Sequence, residues 1–481
     1  MQRKIFKPLL VLATTSLLLS GCKKWEDHNA ITDPATTRDL FTQISENTNL
    51  SKFTELLTKT GYDKVIASSK TFTVFAPTNA ALAALDPAVI NDASKLRLFV
   101  ANHIANQIYK TTAVTVPLRL KMLSDKYNNL LGKKLEDANI TEADHYGKNG
   151  VFHIIDKIVP ALPNAWEFLE SSPLAPGKQK EYLLSLYRNV FDTTNAVQIG
   201  VDPITGKPIY QPGTDSVKTN LFWRNVYDLR DESKQYTFFV MRNDGWDAEV
   251  GKYKPFYVTG TDDSTTNLAR WAVARDLAVE GVYDAATIPD TILSKFRIKV
   301  GINKTAIVQT IKTSNGVVFI MDAVTVRPVD KFPSFVIQGE NYQTSSHDRR
   351  GNTYFREKYN PLTGFDFRDV LVYKHGVALF NLGYRLTGMP SLKYRAYWVA
   401  VHDNINGITA SFDQKLGIGT ATSTILPYIK VNPNNYSEVY LGEFPLATYM
   451  PTLMIYLTAA NSTAETANPI VCDYIRFEPV F

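Results

Sequence analysis

Lys70-Thr71-Phe72-Thr73-Val74-Phe75-Ala76-Pro77-Thr78-Asn79-Ala80-Ala81-Leu82 runs an alternating apolar strand into a Pro-Thr-Asn turn that opens a helix. Pro77 fixes φ and withdraws a donor where the strand must stop, and Thr78 or Asn79 can accept from the free N–H groups of the helix that follows. Downstream, Asn149-Gly150-Val151-Phe152-His153-Ile154-Ile155-Asp156 reads as a turn that needs positive φ and then a closing strand. Both segments recur, as Gln235-Tyr236-Thr237-Phe238-Phe239-Val240-Met241-Arg242-Asn243-Asp244 and Asn315-Gly316-Val317-Val318-Phe319-Ile320-Met321-Asp322. Thr237 follows Thr73 by 164 positions and Asn315 follows Asn149 by 166. That agreement argues for two copies of one module.

The first copy resembles the fasciclin-like (FAS1) family. Thr73 to Asn79 matches its first signature, Asn149 to Asp156 its last, and His103 with Tyr109 its intervening His and Tyr, so the resemblance covers about residues 38–162. The second copy departs from the pattern, with Met241 where the Pro stands and Leu277 where the His stands. The resemblance implies an α+β fold and an adhesive or matrix-binding module, not an enzyme. The signature residues themselves read as fold determinants, and His103 as a buried hydrogen-bonding group rather than a ligand or base.

The N-terminus suggests a location. Arg3, Lys4 and Lys7 precede an apolar stretch from Pro8 to Leu19 that is too short for a permanent span. Leu19-Ser20-Gly21-Cys22 looks like a bacterial lipobox, which makes Cys22 the lipidated residue and residues 22–37 a tether. The following Lys23-Lys24-Trp25-Glu26-Asp27 resembles the tethers of Bacteroidetes lipoproteins, which implies an outer-membrane anchor facing the cell exterior; a periplasm-facing lipoprotein is the other reading.

At 481 residues with 44% hydrophobic content the chain can bury several cores. Without the first 21 residues it carries 49 basic against 47 acidic side chains, a balance of +2 that does not suggest a nucleic-acid partner. With Cys22 committed to lipid, Cys472 has no cysteine to pair with, so no disulfide framework or Cys-based zinc site is expected. The seven histidines form no metal-hydrolase motif, and neither a Gly-x-Ser-x-Gly elbow nor a Walker loop occurs.

Prolines near 160–163 and at 328 mark two joints, and the turn-rich stretch 198–220 reads as an extended loop or hairpin inserted in the second copy. Beyond residue 328 helical periodicity nearly vanishes. Short aromatic and β-branched runs, among them 335–337, 369–373, 376–380, 394–401, 453–457 and 470–477, argue for a β-sandwich. Its opening, Val336-Ile337-Gln338-Gly339-Glu340, and its end, Cys472-Asp473-Tyr474-Ile475-Arg476-Phe477, resemble the first and last strands of galactose-binding-like jelly-roll modules, a fold used by many carbohydrate-binding modules. That resemblance implies a structural calcium held by Glu340 and Asp473; strand-end carboxylates satisfied by hydrogen bonds are the other reading.

The expectation is therefore a multidomain chain: signal peptide 1–21, lipidated tether 22–37, FAS1-like domains 38–162 and 163–328, and an all-β jelly-roll-like sandwich at 329–481. Sugars are held by aromatic faces with a few polar groups fixing orientation, and Tyr359, Phe365, Phe367, Tyr428 and Tyr436, with Asp366 and Arg368, are the candidate ligand-binding residues. The architecture looks like accessory lipoproteins of polysaccharide-utilisation systems. It implies a non-catalytic protein that binds a poly- or oligosaccharide beside a SusC/SusD-type complex, with protein adhesion through the FAS1 modules as the alternative.

Overall fold

The computed structural model describes residues 34–403 and 405–481. The expected signal peptide, Cys22 as the expected lipidation site and most of the expected tether lie outside the described residues. The chain is mixed α/β with many sheets and divides into two compact units. One comprises the residues up to Phe168 with Leu229–Gln235 and Lys312–Gly316; the other comprises Leu169–Asp228, Tyr236–Ile311 and Val317–Phe481.

In the first unit, Phe72–Pro77 pairs in parallel with Gly150–Ile155 at the centre of a seven-stranded sheet, and every residue of both strands is buried. Strand alternation explains why both faces are apolar. Phe72, Val74, Ala76, Phe152 and Ile154 pack against the helical side with Leu40, Phe53, Leu57 and Phe99. Phe75 and Ile155 point the other way, onto Leu120, Leu130, Leu135 and Ile140. Gly150 is required where it stands, because a Cβ there would sit 1.9 Å from the Phe72 carbonyl oxygen.

The signature polar residues are consumed by the fold. Thr78 Oγ1 accepts from Ala81 N at 3.1 Å, as the sequence suggests, but the element it starts is a four-residue 3-10 turn, Ala81–Ala84. Asn79 instead serves the Ser51–Thr60 helix, accepting from Lys52 N and donating to Thr48 O. Asn149 accepts from Leu40 N and donates to the carbonyls of Ile66 and Ser68, tying three segments together. His103 is fully buried; its Nε2 accepts from Val159 N at 3.1 Å, so Nδ1 is the protonated nitrogen and donates to Phe99 O at 2.8 Å. Burial holds this imidazole at about 4.

The second copy repeats the hydrogen bonds that its residues still allow. Thr73 Oγ1 donates to Gln107 O and accepts from Tyr109 N; Thr237 Oγ1 donates to Gly281 O and accepts from Tyr283 N. Asn315 accepts from Ala165 N and donates to the carbonyls of Leu229 and Asp231, as Asn149 does in its own place. The sheet is shorter, with four strands in the order Ala278–Glu280, Tyr236–Met241, Gly316–Met321, Ile307–Thr313. The inserted stretch forms two antiparallel ribbons, Tyr187–Phe191 with Ser216–Asn220 and Gln198–Val201 with Pro208–Tyr210, and begins before the expected residue 198.

The C-terminal region is built from three antiparallel sheets. The four-stranded and five-stranded sheets share one core, in which Tyr384, Leu386 and Ile455 meet Tyr394, Trp398 and Phe477. The opening strand Phe335–Gln338 pairs with the closing strand Tyr474–Val480, with Phe335 opposite Phe477. Residues 376–380, read as a strand from their apolar run, form a turn. Leu379 takes a φ of 58°, and Val377 N donates to His375 Nδ1 rather than to a neighbouring strand. Phe380 nonetheless enters the core.

Candidate functional site

The third C-terminal sheet carries most of the candidate residues. Thr353–Asn360 and Phe365–Val372 form a hairpin closed by Asn360-Pro361-Leu362-Thr363-Gly364. The turn follows from its residues: Asn360 Oδ1 accepts from Leu362 N and Thr363 N, and Gly364 takes a φ of 77°. The hairpin is fixed at its base by Ile470–Cys472 and by a charged clamp. Arg356 makes a bidentate pair with buried Asp369, directly opposite it, and reaches Asp403 at 2.8 Å; Lys358 also pairs with Asp403.

Beyond the clamp the register sets Glu357 opposite Arg368, Lys358 opposite Phe367 and Tyr359 opposite Asp366. These six residues line an open pocket of about 530 Å³, within the range of ligand sites. Candidates that sequence reasoning placed among turn formers thus stand on paired strands, where alternation separates them. Tyr359, Asp366 and Arg368 share one face with Phe355; Phe365 and Phe367 share the other with Lys358 and Arg356. Tyr359 is 59% exposed and Phe365 74% exposed, unusual values for rings of this size on a paired strand.

Neighbouring aromatics support both faces. Phe355 stacks with Tyr342 at 6.4 Å between centroids and carries the Arg368 guanidinium at 5.2 Å, which holds that side chain along the sheet. Tyr436 meets Phe367 edge-on at 6.4 Å, and its carbonyl accepts from Asn360 Nδ2. Tyr428 stands elsewhere, on the edge strand of the five-stranded sheet, its hydroxyl donating to Ala459 O and its ring beneath Lys415. Sequence reasoning missed Glu357, Lys358, Phe355 and Tyr342. The first three were findable once Thr353–Asn360 is read as a strand, because each then lies beside or opposite a residue already chosen.

The carboxylates read as calcium ligands lie at the junction of the first and last strands. Gly339 N donates to Asp473 O at 2.5 Å, so the backbone brings Glu340 and Asp473 close. Glu340 Oε2 is buried with no hydrogen-bond partner. Burial, and then the charges of Asp369 and Glu340, push Asp473 up to about 7. The unpartnered Glu340 oxygen and the neighbouring buried Asp473 carboxyl fit a hard cation in their chemistry. Asp369, the third acid nearby, is already engaged by Arg356, and no group of three His, Cys, Asp or Glu side chains among the described residues is arranged to hold a metal. Cys472 beside them is a buried free thiol.

Residues 48–160 match the Fasciclin domain family model. No curated protein matches the sequence. Among solved structures the chain is similar to a FAS1 domain pair from the insect cell adhesion molecule Fasciclin I, at 15% identity and a TM-score of 0.24, over 60% of this chain and 100% of that one. It is also similar to the CBM36-1 domain of a multidomain xylanase from the hindgut metagenome of Trinervitermes trinervoides, at 14% identity and a TM-score of 0.23, over 31% of this chain and 98% of that one. A carbohydrate-binding module CBM36 in complex with calcium and xylotriose matches at 16% identity and a TM-score of 0.21, over 30% of this chain and 99% of that one. A fasciclin domain at residues 48–160 is thereby identified within the chain.

Proposed function

We propose that this chain is a non-catalytic glycan-binding protein. It would be carried by a lipid on Cys22 at the outer face of the outer membrane, with two fasciclin-like modules preceding a jelly-roll-like sandwich. The observation that carries the reading is the pocket on the Thr353–Val372 hairpin, where exposed Tyr359 stands among charged groups able to orient hydroxyls. Tyr359 would stack on a sugar face, while Asp366, Arg368 and Glu357, on the same face of the hairpin, would accept from and donate to sugar hydroxyls; Phe365, on the opposite face, is left out of this group. Tyr436 would brace Phe367. Tyr428, with its hydroxyl and ring both engaged, is left out of this group. Glu340 and Asp473 would hold a calcium ion whose contribution is to join the first and last strands, with no part in chemistry. A SusC/SusD-type importer complex would be the protein partner.

A second reading, adhesion to a protein through the fasciclin modules, is favoured by the fasciclin domain at 48–160. A glycan array probed with residues 23–481 separates the two. Binding to a poly- or oligosaccharide class that is lost in Tyr359→Ala supports the first; no binding across plant, host and microbial glycans supports the second.

A further inference from the structure

A second pocket, of about 520 Å³, opens in the second α/β region, well away in sequence from the hairpin. Its walls are Tyr182, Leu186, Leu221, Trp271 and Phe296. Leu221 begins the short Leu221–Asn225 helix, and Trp271 lies on the last turn of the Asp262–Ala274 helix, which Arg275 caps. Arg275 is the one charged lining residue, and Asn225 adds an exposed amide. In the first copy buried Ala101 stands in the place of Arg275, preceding Asn102 and His103 as Arg275 precedes Asp276 and Leu277.

Arg275 is under-used. Its guanidinium lies over the Phe296 ring at 4.9 Å, which fixes its plane, and its Nε is buried without a hydrogen-bond partner. The nearest carboxylate, Asp276, is 3.9 Å away, and that group already accepts from Ser294 Oγ at 2.7 Å and from Lys331 Nζ. One carboxylate thus faces two cations, and the guanidinium retains its capacity for a bidentate anion. A sugar would be poorly served here, because the Tyr182 hydroxyl is committed to Asn267 O, leaving Arg275 and Asn225 as the polar lining groups. We propose that this pocket binds a small amphiphilic anion, a carboxylate on an apolar body, with the carboxylate on Arg275 and the body against Trp271, Leu221 and Phe296. The proposal is independent of the glycan reading.

The test titrates the full chain with octanoate, octan-1-ol and octylamine, followed by tryptophan fluorescence and calorimetry. The expected result is saturable octanoate binding at least about tenfold tighter than octan-1-ol, the size of one charged hydrogen-bonded contact, with octylamine weakest. Arg275→Gln should erase the preference for octanoate over octan-1-ol, and Leu221→Trp, which fills the pocket, should remove binding of both with the thermal transition retained. Absence of saturable binding at millimolar octanoate overturns the proposal. So does equal affinity of the unaltered protein for octanoate and octan-1-ol, a comparison that needs no variant to fold, and so does an Arg275→Gln protein that keeps the preference.

Discussion

The fasciclin domain and the C-terminal hairpin place their distinctive side chains in opposite ways. In the repeat, Asn149, Thr73 and His103 are buried and each satisfies a backbone group that the fold would otherwise leave unpaired. On the hairpin, Tyr359 and Phe365 face solvent, although paired strands could have carried them inward. Motif residues in the repeat therefore report the fold, and the exposed side chains of the hairpin are the ones the proposed function rests on. The contrast also runs between the two copies. Where Pro77 has no N–H, Met241 has one, and buried Gln179 accepts from it at 2.9 Å while donating to Phe239 O. Where the first copy buries neutral Asn102 with Ser124, the second buries Asp276 with Ser294 and must add Lys331, whose ammonium burial pushes down to about 8.

If that contrast is right, the largest loss comes from breaking the charged replacement. Lys331→Met strands Asp276 in the core and should destabilise by about 3–5 kcal/mol in denaturant melts, whereas Lys331→Met with Asp276→Leu should recover most of it. A double variant as unstable as the single would show that the pair does more than neutralise itself. The first copy should instead respond to acid. His103 sits at about 4 when folded against 6.5 in the unfolded chain, so between those values the unfolded chain binds the extra proton. Stability is complete above pH 6.5 and declines by about 3 kcal/mol as pH falls toward 4. His103→Gln should flatten that part of the pH profile.

Gln179→Leu leaves the Met241 N–H buried and unpaired and should cost about 1–3 kcal/mol, measured by chemical unfolding. Asp473 has the opposite linkage to His103. Its folded value of about 7 lies above the ordinary 3.8, so the stability it contributes is complete below 3.8 and lost as pH rises through 7. Asp473→Asn should therefore stabilise the metal-free protein at pH 7.5 and not at pH 4, read as the shift in melting temperature at the two pH values. Calcium should raise the melting temperature of the unaltered protein and leave that of Asp473→Asn unchanged. Smallest of all, Tyr359→Ala should shift stability by no more than about 0.5 kcal/mol.

The sequence made the repeat legible because its signatures are dense, ordered and spaced alike, and each carries a backbone requirement that few residues meet. The partnership of Gln179 with Met241 could not be read, because nothing local links residues 62 positions apart. On the C-terminal side, alternation revealed most strands, yet 376–380 has a strand's composition and a turn's backbone. Four of the seven chosen ligand candidates, Tyr359, Asp366, Phe367 and Arg368, line one pocket, because a hairpin brings together what its turn separates by only a few residues. Tyr428 was chosen on the same compositional ground but belongs to a sheet the sequence could not order.

Calorimetric titration of the best array glycan into the unaltered protein, Tyr359→Ala and Tyr428→Ala tests the central claim most directly. The account predicts that Tyr359→Ala abolishes binding while melting like the unaltered protein, and that Tyr428→Ala binds normally. Retention of full affinity by Tyr359→Ala, or its loss in Tyr428→Ala alone, would contradict it.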